Sequence, residues 1–480
     1  MAAGIIAIPL VTLTLGSEAL GLVGVYATLQ AMLSLFDLGL PVAANHRLAV
    51  MIGRNTACEQ QAALVRTLET LFWALVVLFL IAGFALRGLL ADSWLNIAVL
   101  PRTTVELALL LMIGAAAIRF PVAFYANVLF AYDRHFFPNA ITASSAILRI
   151  IVSLVALVGF NVGIVGFFVI QLIGNIAEVG LLAGGVWRQQ GHHFISPKLS
   201  MLHDIRAMAG GLTLVSLTAV ALSQIDKIIL SKLLSLGDFG LYSAGYTMAA
   251  GLVALSYPAG NAIFPQLSRS IDAKDGGATR IVQVATELTI LILVPIGCVL
   301  IMQAEPLLQV LFLVKAMPIM LPSILPLMML GAIAQGFVTL PHLFQVAAHR
   351  VATVAWINGG LLVPYGICVF AAASAAGVFG AVVAFAVFNL VRLLIHWGIL
   401  LSRESTQTIW RPSVAVTVAS VVGGLLLAGV PRVIGISGPA GIIVAILLVP
   451  ALAIVAAVTL PHTRTRLFAL GRTWAGQHGA

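Results

Sequence analysis

The sequence predicts an all-α polytopic membrane protein, and three of its features lead to this fold class. The chain has 480 residues, of which 61% are hydrophobic and only 9% are charged, with a mean hydropathy of +1.11. A soluble chain would carry about 25% charged residues. Apolar runs of about 20 residues, the length that a helix needs to cross a bilayer, recur along the whole chain. These runs lack strict alternation, which favours helices over barrel strands.

Fourteen apolar runs are candidates for membrane-spanning helices. The first run is short, and its repeat mate starts near residue 207, so relative to its mate it lacks about a dozen residues upstream. Either the start codon lies earlier or the first helix has been trimmed. We predict two pseudo-symmetric six-helix lobes over residues 1–190 and 205–402, an extra helix pair over 410–461 and a basic cytoplasmic tail over 462–480. The runs cover residues 2–15, 20–46, 69–91, 104–131, 138–159, 163–187, 207–231, 240–266, 283–304, 320–347, 351–374, 377–400, 412–430 and 440–460.

A short internal repeat supports the division into two lobes. A shift of 219 residues superposes Gly21 on Gly240 and Leu22 on Leu241, and in both copies a short acidic turn joins two apolar segments. An even number of predicted helices separates the copies, so both lobes are expected to have the same orientation. Transporters built from such repeats bind their substrate at the interface of the repeats, which here predicts a cleft between the lobes.

The distribution of lysine and arginine predicts the orientation in the membrane. With the N-terminus inside, seventeen of the 25 basic residues fall in inner loops and the tail, and six fall in outer loops. The remaining two, Arg119 and Arg149, lie within predicted spans. Basic residues accumulate on the cytoplasmic side of membrane proteins, so both termini are expected to be cytoplasmic.

Charge and motif content exclude several classes of protein. The formal charge of +9 is spread over many loops instead of one soluble module, which argues against nucleic-acid binding. Cys58, Cys298 and Cys368 have neither disulfide nor metal-ligand spacing. The sequence contains no G-x-x-x-x-G-K-[ST] loop, no H-E-x-x-H and no G-x-S-x-G. We therefore expect no ATP hydrolysis, no catalytic residue and no bound metal.

Two arginines lie near the middle of consecutive predicted helices. Arg119 is in IGAAAIRFPVAFY and Arg149 in SSAILRIIVSL. An arginine at the bilayer centre costs about 2.5–3.5 kcal/mol on insertion scales, so neither is expected to face lipid. One interpretation is a cationic lining for an anionic substrate, because guanidinium binds phosphate bidentately. The other is structural neutralisation, most simply of Arg149 by Glu178 on the following helix.

Glu178 itself has two interpretations, as a proton or cation site or as the counter-ion of Arg149. Asp37 in SLFDLGLP precedes Gly39 and a proline, so its helix is expected to bend there. That carboxylate is a candidate for ion coupling or gating, or it serves only to break the helix. Arg47, near the inner end of the same run, is a candidate substrate ligand or a snorkelling anchor.

Three further charged residues lie nearer the ends of their predicted helices. Asp226 and Lys227 close the seventh helix at the outer face, where they are either interfacial anchors or an outer gate. Arg392 in FNLVRLLIHW lies in the inner half of the twelfth helix, where it either lines the substrate cavity or anchors at the interface.

Two stretches carry a resemblance to a known family. GSEALGLVGVYATLQAMLSLFDLGL at residues 16–40 and SQIDKIILSKLLSLGDFGLYSAGY at residues 223–246 resemble the paired elements of bacterial polysaccharide transporters. These are the O-antigen and exopolysaccharide flippases of the multidrug/oligosaccharidyl-lipid/polysaccharide (MOP) exporter superfamily. The resemblance implies two six-helix lobes, a central cationic cavity and alternating access. It also implies an undecaprenyl-diphosphate-linked oligosaccharide as substrate, moved from the inner to the outer leaflet of the bacterial cytoplasmic membrane.

We therefore expect a flippase that serves the synthesis of lipopolysaccharide or exopolysaccharide. It would need no cofactor beyond a coupled proton or sodium ion, and a polysaccharide polymerase and a chain-length regulator are candidate partners. The alternatives within the superfamily are a multidrug or cation exporter and a lipid II flippase. A membrane polymerase or glycosyltransferase is disfavoured, because such enzymes display a large external loop that the predicted topology lacks.

Overall fold

The chain folds almost entirely into α-helices, as the sequence predicts. A computed structural model describes residues 2–37, 39–190, 196–198, 200–273, 276–312, 317–403, 416–418, 420–429 and 448. Over these residues it contains fifteen α-helices, and the one β-type contact among them is an isolated bridge between Asn96 and Ser235.

The helices follow the predicted apolar runs with a few internal breaks. The first eight are α1 (Ala2–Leu15), α2 (Ser17–Leu33), α3 (Leu40–Gly53), α4 (Cys58–Leu89), α5 (Arg102–Arg119), α6 (Val122–Ala131), α7 (Phe136–Gly159) and α8 (Ile164–Gln190). The others are α9 (Ser200–Leu233), α10 (Leu236–Val253), α11 (Tyr257–Ala273), α12 (Gly277–Met302), α13 (Ala304–Leu311), α14 (Leu321–Ala347) and α15 (Val351–Arg403).

Eight segments of the described part are long and apolar enough to cross a bilayer, so the protein is a multi-pass membrane protein. The predicted run 412–430 is helical where it is described, over residues 416–418 and 420–429. The last predicted run, 440–460, lies outside the described residues except for residue 448. The total of fourteen spans therefore stays a prediction.

Helix α7 illustrates how the helices are sorted between protein and lipid. Arg149 and Ser153 are buried on one face, whereas Leu148, Ile151 and Val155 on the opposite side are each at least half exposed. In a soluble protein so many exposed aliphatic side chains would be costly. In a bilayer they contact acyl chains, and the polar residues turn inward because lipid cannot pair with them.

The bend predicted around Asp37 is present. After α2 the chain makes a 3-10 turn over Ser34–Asp37, and α3 begins at Leu40. The carboxylate of Asp37 accepts the backbone N–H of Gly39 at 2.9 Å, and Gly39 has a left-handed φ of 69° that glycine adopts without strain. Pro41 follows in the first turn of α3, where its missing N–H costs no helical hydrogen bond.

Two other long runs also break. The run predicted over 104–131 divides into α5 and α6 at Phe120–Pro121, a break that the sequence analysis did not predict. Helix α15 contains non-helical backbone at Ala376 and at Gly377, whose φ is 56°. The predicted separation of two helices between residues 374 and 377 is thus confirmed.

By packing, the chain divides into two compact units. The first unit comprises Ile6–Ser243 and Ala355–Gly377, and the second comprises Met1–Ile5, Ala244–Val354 and Val378–Ala480. The first half of α15 belongs to the first unit, where Gly366 lies close to side chains of α9. This division differs from the predicted lobes, which remain a prediction.

A network of hydrogen bonds ties the loop between α4 and α5 to the rest of the first unit. The buried carboxylate of Glu18 accepts three backbone N–H groups, from Ala98 at 2.7 Å, Val99 at 2.9 Å and Leu100 at 2.7 Å. The side-chain amide of Asn96 donates to the backbone carbonyls of Lys232 and Leu234 at the end of α9. The backbone carbonyl of Asn96 accepts the N–H of Leu236, the first residue of α10. Several backbone groups of this irregular loop thereby gain partners inside the protein.

The second unit packs α11, α12, α13 and α14 together with the second half of α15. Near the predicted inner end its core consists of Leu267, Val282, Phe344, Ala347 and Leu400. This core fixes the last turns of α14 against the last turns of α15, which positions the polar residues that precede them.

The two glycines matched by the internal repeat contact each other. A Cβ atom on Gly240 would lie 2.5 Å from the carbonyl oxygen of Ser17 and 2.7 Å from the backbone nitrogen of Gly21. A Cβ atom on Gly21 would lie 2.1 Å from the carbonyl oxygen of Leu236. The first turns of α2 and α10 therefore meet backbone to backbone, as small residues allow in membrane helices.

We expect Gly240→Ala to lower the thermal unfolding midpoint of the detergent-purified protein by several degrees. Backbone atoms cannot move aside as a flexible side chain can, and such overpacking costs about 1–3 kcal/mol. Gly180→Ala in α8 is the matched control, because no atom lies within 4 Å of its added Cβ. Alanine is the better helix former, so the control should be neutral or stabilising. Equal midpoints for the two variants would contradict the close contact.

Candidate functional site

One charge cluster of the first unit unites three residues that the sequence analysis selected. The Glu178 Oε2 atom lies 2.9 Å from Nη1 of Arg149 and 3.4 Å from Nη1 of Arg119. Each of these residues is ten or more positions from both ends of its apolar span. At 1.5 Å per residue the cluster is therefore about 15 Å or more from either end of each apolar span, which corresponds to mid-membrane.

An asparagine one turn before Glu178 joins four helices at this point. The side-chain oxygen of Asn175 accepts a hydrogen bond from Arg149 of α7. Its amide nitrogen donates to the hydroxyl of Tyr26 in α2 at 3.0 Å and to the carbonyl of Ala115 in α5 at 2.8 Å. Residues three apart share a helix face, which is why Asn175 and Glu178 both reach Arg149.

Space for the arginine comes from a glycine. A Cβ atom on Gly174 would lie 2.5 Å from both Cγ and Cδ of Arg149. The aliphatic stem of this arginine thus crosses α8 at a position without a side chain, and its guanidinium then meets Asn175 and Glu178 beyond it. Sequence reasoning did not select Tyr26 or Gly174, because an isolated tyrosine or glycine in an apolar run gives no signal of its partner.

The two arginines differ in exposure. The side chain of Glu178 is fully buried and that of Arg149 is 8% exposed, whereas that of Arg119 is 32% exposed. Arg149 is therefore paired with Glu178, as the structural interpretation of this arginine expects. Two guanidinium groups share one carboxylate, which leaves one formal positive charge in excess. Arg119 is the more exposed of the two arginines.

The two oxygens of the Glu178 carboxylate differ in their contacts. Its Oε2 atom also lies 3.3 Å from the donating hydroxyl of Ser145. Its Oε1 atom is buried without a hydrogen-bond partner among the described residues. The orphaned oxygen keeps Glu178 a candidate for binding a proton or cation, beside its role as counter-ion.

Asp226 and Lys227 form an ion pair inside the protein and do not project from the helix end. Both side chains are buried, and their ion pair has Nζ–Oδ1 and Nζ–Oδ2 distances of 3.1 Å. Lys227 also donates to the carbonyl of Ser223 at 2.8 Å, and the hydroxyl of Tyr242 donates to Asp226 at 2.6 Å. Helix α9 continues to Leu233, so the pair lies well inside the helix end and packs against α10. Its proposed role as an outer gate stays a prediction.

The other selected residues are not among the partners of Glu178 given above. Asp37 caps the break between α2 and α3, which gives it the structural role described for the bend. Arg47 is half-buried on α3, and Arg392 is half-buried in the second unit. The assignment of Arg47 and Arg392 as substrate ligands stays a prediction.

Glu69 is another buried carboxylate of the first unit, and it was not selected from the sequence. Glu69 on α4 accepts hydrogen bonds from Tyr125 at 2.7 Å and Trp187 at 3.0 Å, and its second oxygen lies 2.6 Å from Nη1 of Arg66. The indole of Trp73 donates to the Tyr125 hydroxyl at 3.0 Å. Three of these donors point at Glu69 and the fourth points at Tyr125, so this network holds α4, α6 and α8 together. Within the described part of the chain, no group of three or more His, Cys, Asp and Glu could hold a metal ion.

Solved structures share this architecture. An inward-facing multidrug resistance transporter of the MATE family, in the MOP superfamily, superposes with a TM-score of 0.71 at 14% identity over 84% of this chain and 96% of that chain. The lipid II flippase MurJ, in an inward closed conformation, has a TM-score of 0.70 at 12% identity over 92% of this chain and 96% of that chain. A MOP superfamily transporter from Pyrococcus furiosus has a TM-score of 0.53 at 13% identity over 83% and 93%.

The fold is therefore that of the MOP superfamily of membrane transporters. The profile of the family described as "Polysaccharide biosynthesis protein" matches residues 1–271, more than half of the chain. The protein belongs to this polysaccharide biosynthesis family, as the two resembling stretches predicted. A search of curated proteins finds no match.

Removing one partner of the buried ion pair should cost more stability than removing both. We expect Glu178→Gln and Arg149→Gln each to lose up to about 3–5 kcal/mol. The first change leaves the buried Arg149 without its carboxylate, and the second leaves Glu178 with only the longer contact to Arg119 at 3.4 Å. The double variant should recover part of that loss in thermal unfolding of the purified protein.

The exposed ion pairs of Arg102 with Asp92 and Glu106, at 2.7 and 2.9 Å, provide the control. Arg102→Gln should change the free energy of unfolding by about 1 kcal/mol or less. Strictly additive losses in the Glu178 and Arg149 variants would show that the two residues are not coupled.

Proposed function

We propose that the protein is a flippase for a polyprenyl-diphosphate-linked oligosaccharide, undecaprenyl being the polyprenyl carrier. It would move this lipid from the inner to the outer leaflet of the bacterial cytoplasmic membrane by alternating access. The observation that carries the proposal is the excess positive charge at mid-membrane, in a chain of the polysaccharide biosynthesis family. Arg119 is the residue that would contact the diphosphate.

The charge of the cluster matches the need of such a substrate. A sugar head group and a diphosphate cannot cross hydrocarbon unaided, since each unsatisfied polar group costs several kcal/mol there. A guanidinium at half depth supplies a charge-assisted partner, and its planar fork fits two phosphate oxygens. Arg149 keeps Glu178 neutralised, so the carboxylate does not repel the anion that Arg119 attracts.

The membrane potential would favour export. With both termini in the cytoplasm, the substrate moves outward across an inside-negative membrane. Each negative charge that crosses releases about 2.3 kcal/mol per 100 mV. The potential thus favours outward movement of the substrate without ATP hydrolysis. The candidates for binding a coupled proton or sodium ion are Asp37 and Glu178, the latter through its orphaned oxygen.

The alternatives within the superfamily share the fold equally. The neighbours include a multidrug resistance transporter and a lipid II flippase, both with TM-scores of about 0.7. In the Pyrococcus furiosus transporter the reverse polarity of the binding pocket suggests a different function, so the sign of the buried charge is informative within this fold. An exporter of organic cations would need an acidic centre, whereas the cluster here is net positive. We therefore favour an anionic lipid, with lipid II as the second candidate.

The family also suggests the setting in which the protein acts. Synthesis of O-antigen, capsule or exopolysaccharide requires lipid-linked repeat units to reach the outer leaflet before they are joined. A polysaccharide polymerase and a chain-length regulator would then use the product of this flippase. We propose these two as its functional partners.

Arg119→Gln should reduce surface polysaccharide export at least tenfold in cells that depend on this protein. Loss of a charge-assisted hydrogen bond costs about 1.5–3 kcal/mol, which corresponds to a factor of about ten to a hundred. Arg119→Lys should retain part of the activity, because the charge remains while the bidentate fork is lost. Export is measured as surface polysaccharide per cell, with protein level checked by immunoblot.

Arg54→Gln provides the control, because this arginine is exposed beyond the end of α3. It should export normally. Normal export by Arg119→Gln at a normal protein level would exclude Arg119 as a substrate ligand. Accumulation of a cationic dye in cells lacking the protein, reversed by the wild type, would favour the multidrug alternative.

A further inference from the structure

The first unit contains an apolar cavity that the charge cluster does not explain. The cavity has a volume of about 360 Å³ and is lined by residues of α2, α4, α5 and α9 and of the segment that follows α4. Leu33, Leu95 and Met112 form part of its buried wall. Within the described part of the chain, its lining includes no member of the Glu178 cluster. Protein interiors contain few voids larger than a water molecule, so a cavity of this size calls for an occupant.

The polar side chains of the lining already have partners inside the protein. The hydroxyl of Thr28 donates to the carbonyl of Gly24 at 3.0 Å. The indole of Trp94 donates to the Ser231 hydroxyl at 2.9 Å, and this hydroxyl donates to the carbonyl of Ile228 at 2.9 Å. A water molecule in a cavity needs about two to four polar partners, and a polar ligand has the same need. The other lining side chains are apolar, so the cavity suits a hydrocarbon ligand.

The cavity opens towards lipid at α4. Ala82 and Leu86 line it, lie one helical turn apart and are both exposed. On the same part of α4, Ile81, Phe84 and Leu89 are each more than half exposed. Exposed apolar side chains of a membrane-spanning helix contact acyl chains. A chain of a neighbouring lipid can therefore enter the cavity beside α4 without crossing water.

A positive charge lies at one end of the cavity. The ammonium of the exposed Lys232 is 5.3 Å from the ring centroid of Trp94, which lines the cavity. Both residues are near the C-terminal ends of their helices, which the predicted topology places at the outer face. The nearby carboxylates of Asp92 and Glu106 are paired with Arg102 at 2.7 and 2.9 Å. Lys232 thus offers a cation to a phosphate at the end of a hydrocarbon cavity.

We propose that the apolar cavity binds one acyl chain of a membrane phospholipid, whose phosphate lies beside Lys232. A cavity of about 150 Å³ binds one benzene molecule, so this cavity has room for about a dozen carbon atoms. This size is close to that of one acyl chain, whereas an undecaprenyl tail is several times larger. The bound chain would connect α4 to α2, α5 and α9. The inference goes beyond the proposed function and does not depend on the transported substrate.

The test is thermal unfolding of the full-length protein purified in digitonin, a detergent whose rigid steroid body offers no alkyl chain. The probes are dimyristoyl phosphatidylglycerol, dimyristoylglycerol, which lacks the phosphate, and farnesyl phosphate, which carries an isoprenoid tail. A ligand of the folded state raises the unfolding midpoint with its concentration until the protein is saturated. Phosphatidylglycerol should raise the midpoint by several degrees and should bind more tightly than the other two probes.

The other outcomes of this titration contradict the proposal. Tighter binding of farnesyl phosphate would assign the cavity to polyprenyl tails and overturn the phospholipid as its ligand. Equal binding of phosphatidylglycerol and dimyristoylglycerol would overturn the contact between the phosphate and Lys232. An unchanged midpoint with all three probes would overturn the cavity as a binding site.

Leu29→Trp tests whether the bound lipid occupies this cavity. Leu29 is half-buried and lines the cavity, so an indole at this position takes the space of the acyl chain. The variant should unfold at an equal or higher midpoint without lipid, because filling a cavity stabilises a protein. Its affinity for phosphatidylglycerol should fall at least tenfold. Leu148→Trp on the exposed face of α7 is the matched control and should bind as the wild type does. Wild-type affinity in Leu29→Trp would overturn the proposal.

Lys232→Gln is a second test, and it leaves the interior unchanged. An exposed ion pair contributes up to about 1 kcal/mol, so affinity for phosphatidylglycerol should fall about two- to fivefold. Arg134→Gln is the control, because it removes a positive charge from an exposed residue at the opposite end of the span formed by α5 and α6. Its affinity should be unchanged. An equal loss in both variants would show a general effect of charge and overturn the contact with Lys232.

Discussion

Glu178 lies fully buried at half depth in a helix bundle, and the cost of a carboxylate there determines which groups surround it. Isolated in hydrocarbon, it would be neutralised by protonation instead of remaining charged. Arg149 from the preceding helix supplies the opposite charge, and Asn175 holds that arginine while it also binds α2 and α5. Four helices are thus connected through one charged centre. Apolar packing alone would leave their rotation about their axes loosely specified, because lipid is as apolar as leucine.

The loop between α4 and α5 follows the same principle with different chemistry. A loop without regular structure must satisfy its backbone groups, and Glu18 and Asn96 do so by hydrogen bonds to the backbone. The contact of Gly21 with Gly240 then brings α2 and α10 together without side chains between them. These contacts hold the helix ends rigidly, and the charged centre holds the helices at half depth. A transporter needs such connections if its helices are to move together as a rigid body.

The sequence predicted the helices and the charged centre well, for a physical reason. Arginine and glutamate are so costly in a bilayer that their presence in an apolar run is itself a signal, so Arg119, Arg149 and Glu178 could be selected without coordinates. The bend at Asp37 was predicted because glycine and proline act locally. The break at Pro121 was missed, although a proline stands there as well, since prolines are common in membrane helices without a break.

Other features depend on tertiary contacts that no linear pattern shows. Asp226 and Lys227 are neighbours in the chain near a predicted helix end, which is how interfacial anchors look. The structure shows that this pair is buried, because α9 continues to Leu233 and the hydroxyl of Tyr242 on α10 donates to Asp226. Likewise His342 and His396 are 54 positions apart in the sequence, and their facing rings emerge only from the packing of α14 on α15.

The crossing of the Arg149 stem over Gly174 has a consequence for how this family can diverge. Any larger residue at position 174 would occupy the path of the arginine, so the two positions cannot vary independently. A homologue with alanine or a bulkier residue at the position of Gly174 is expected to have replaced the arginine too. The pair can therefore serve as a marker, in sequences alone, for the descendants that have kept the same electrostatic anchor.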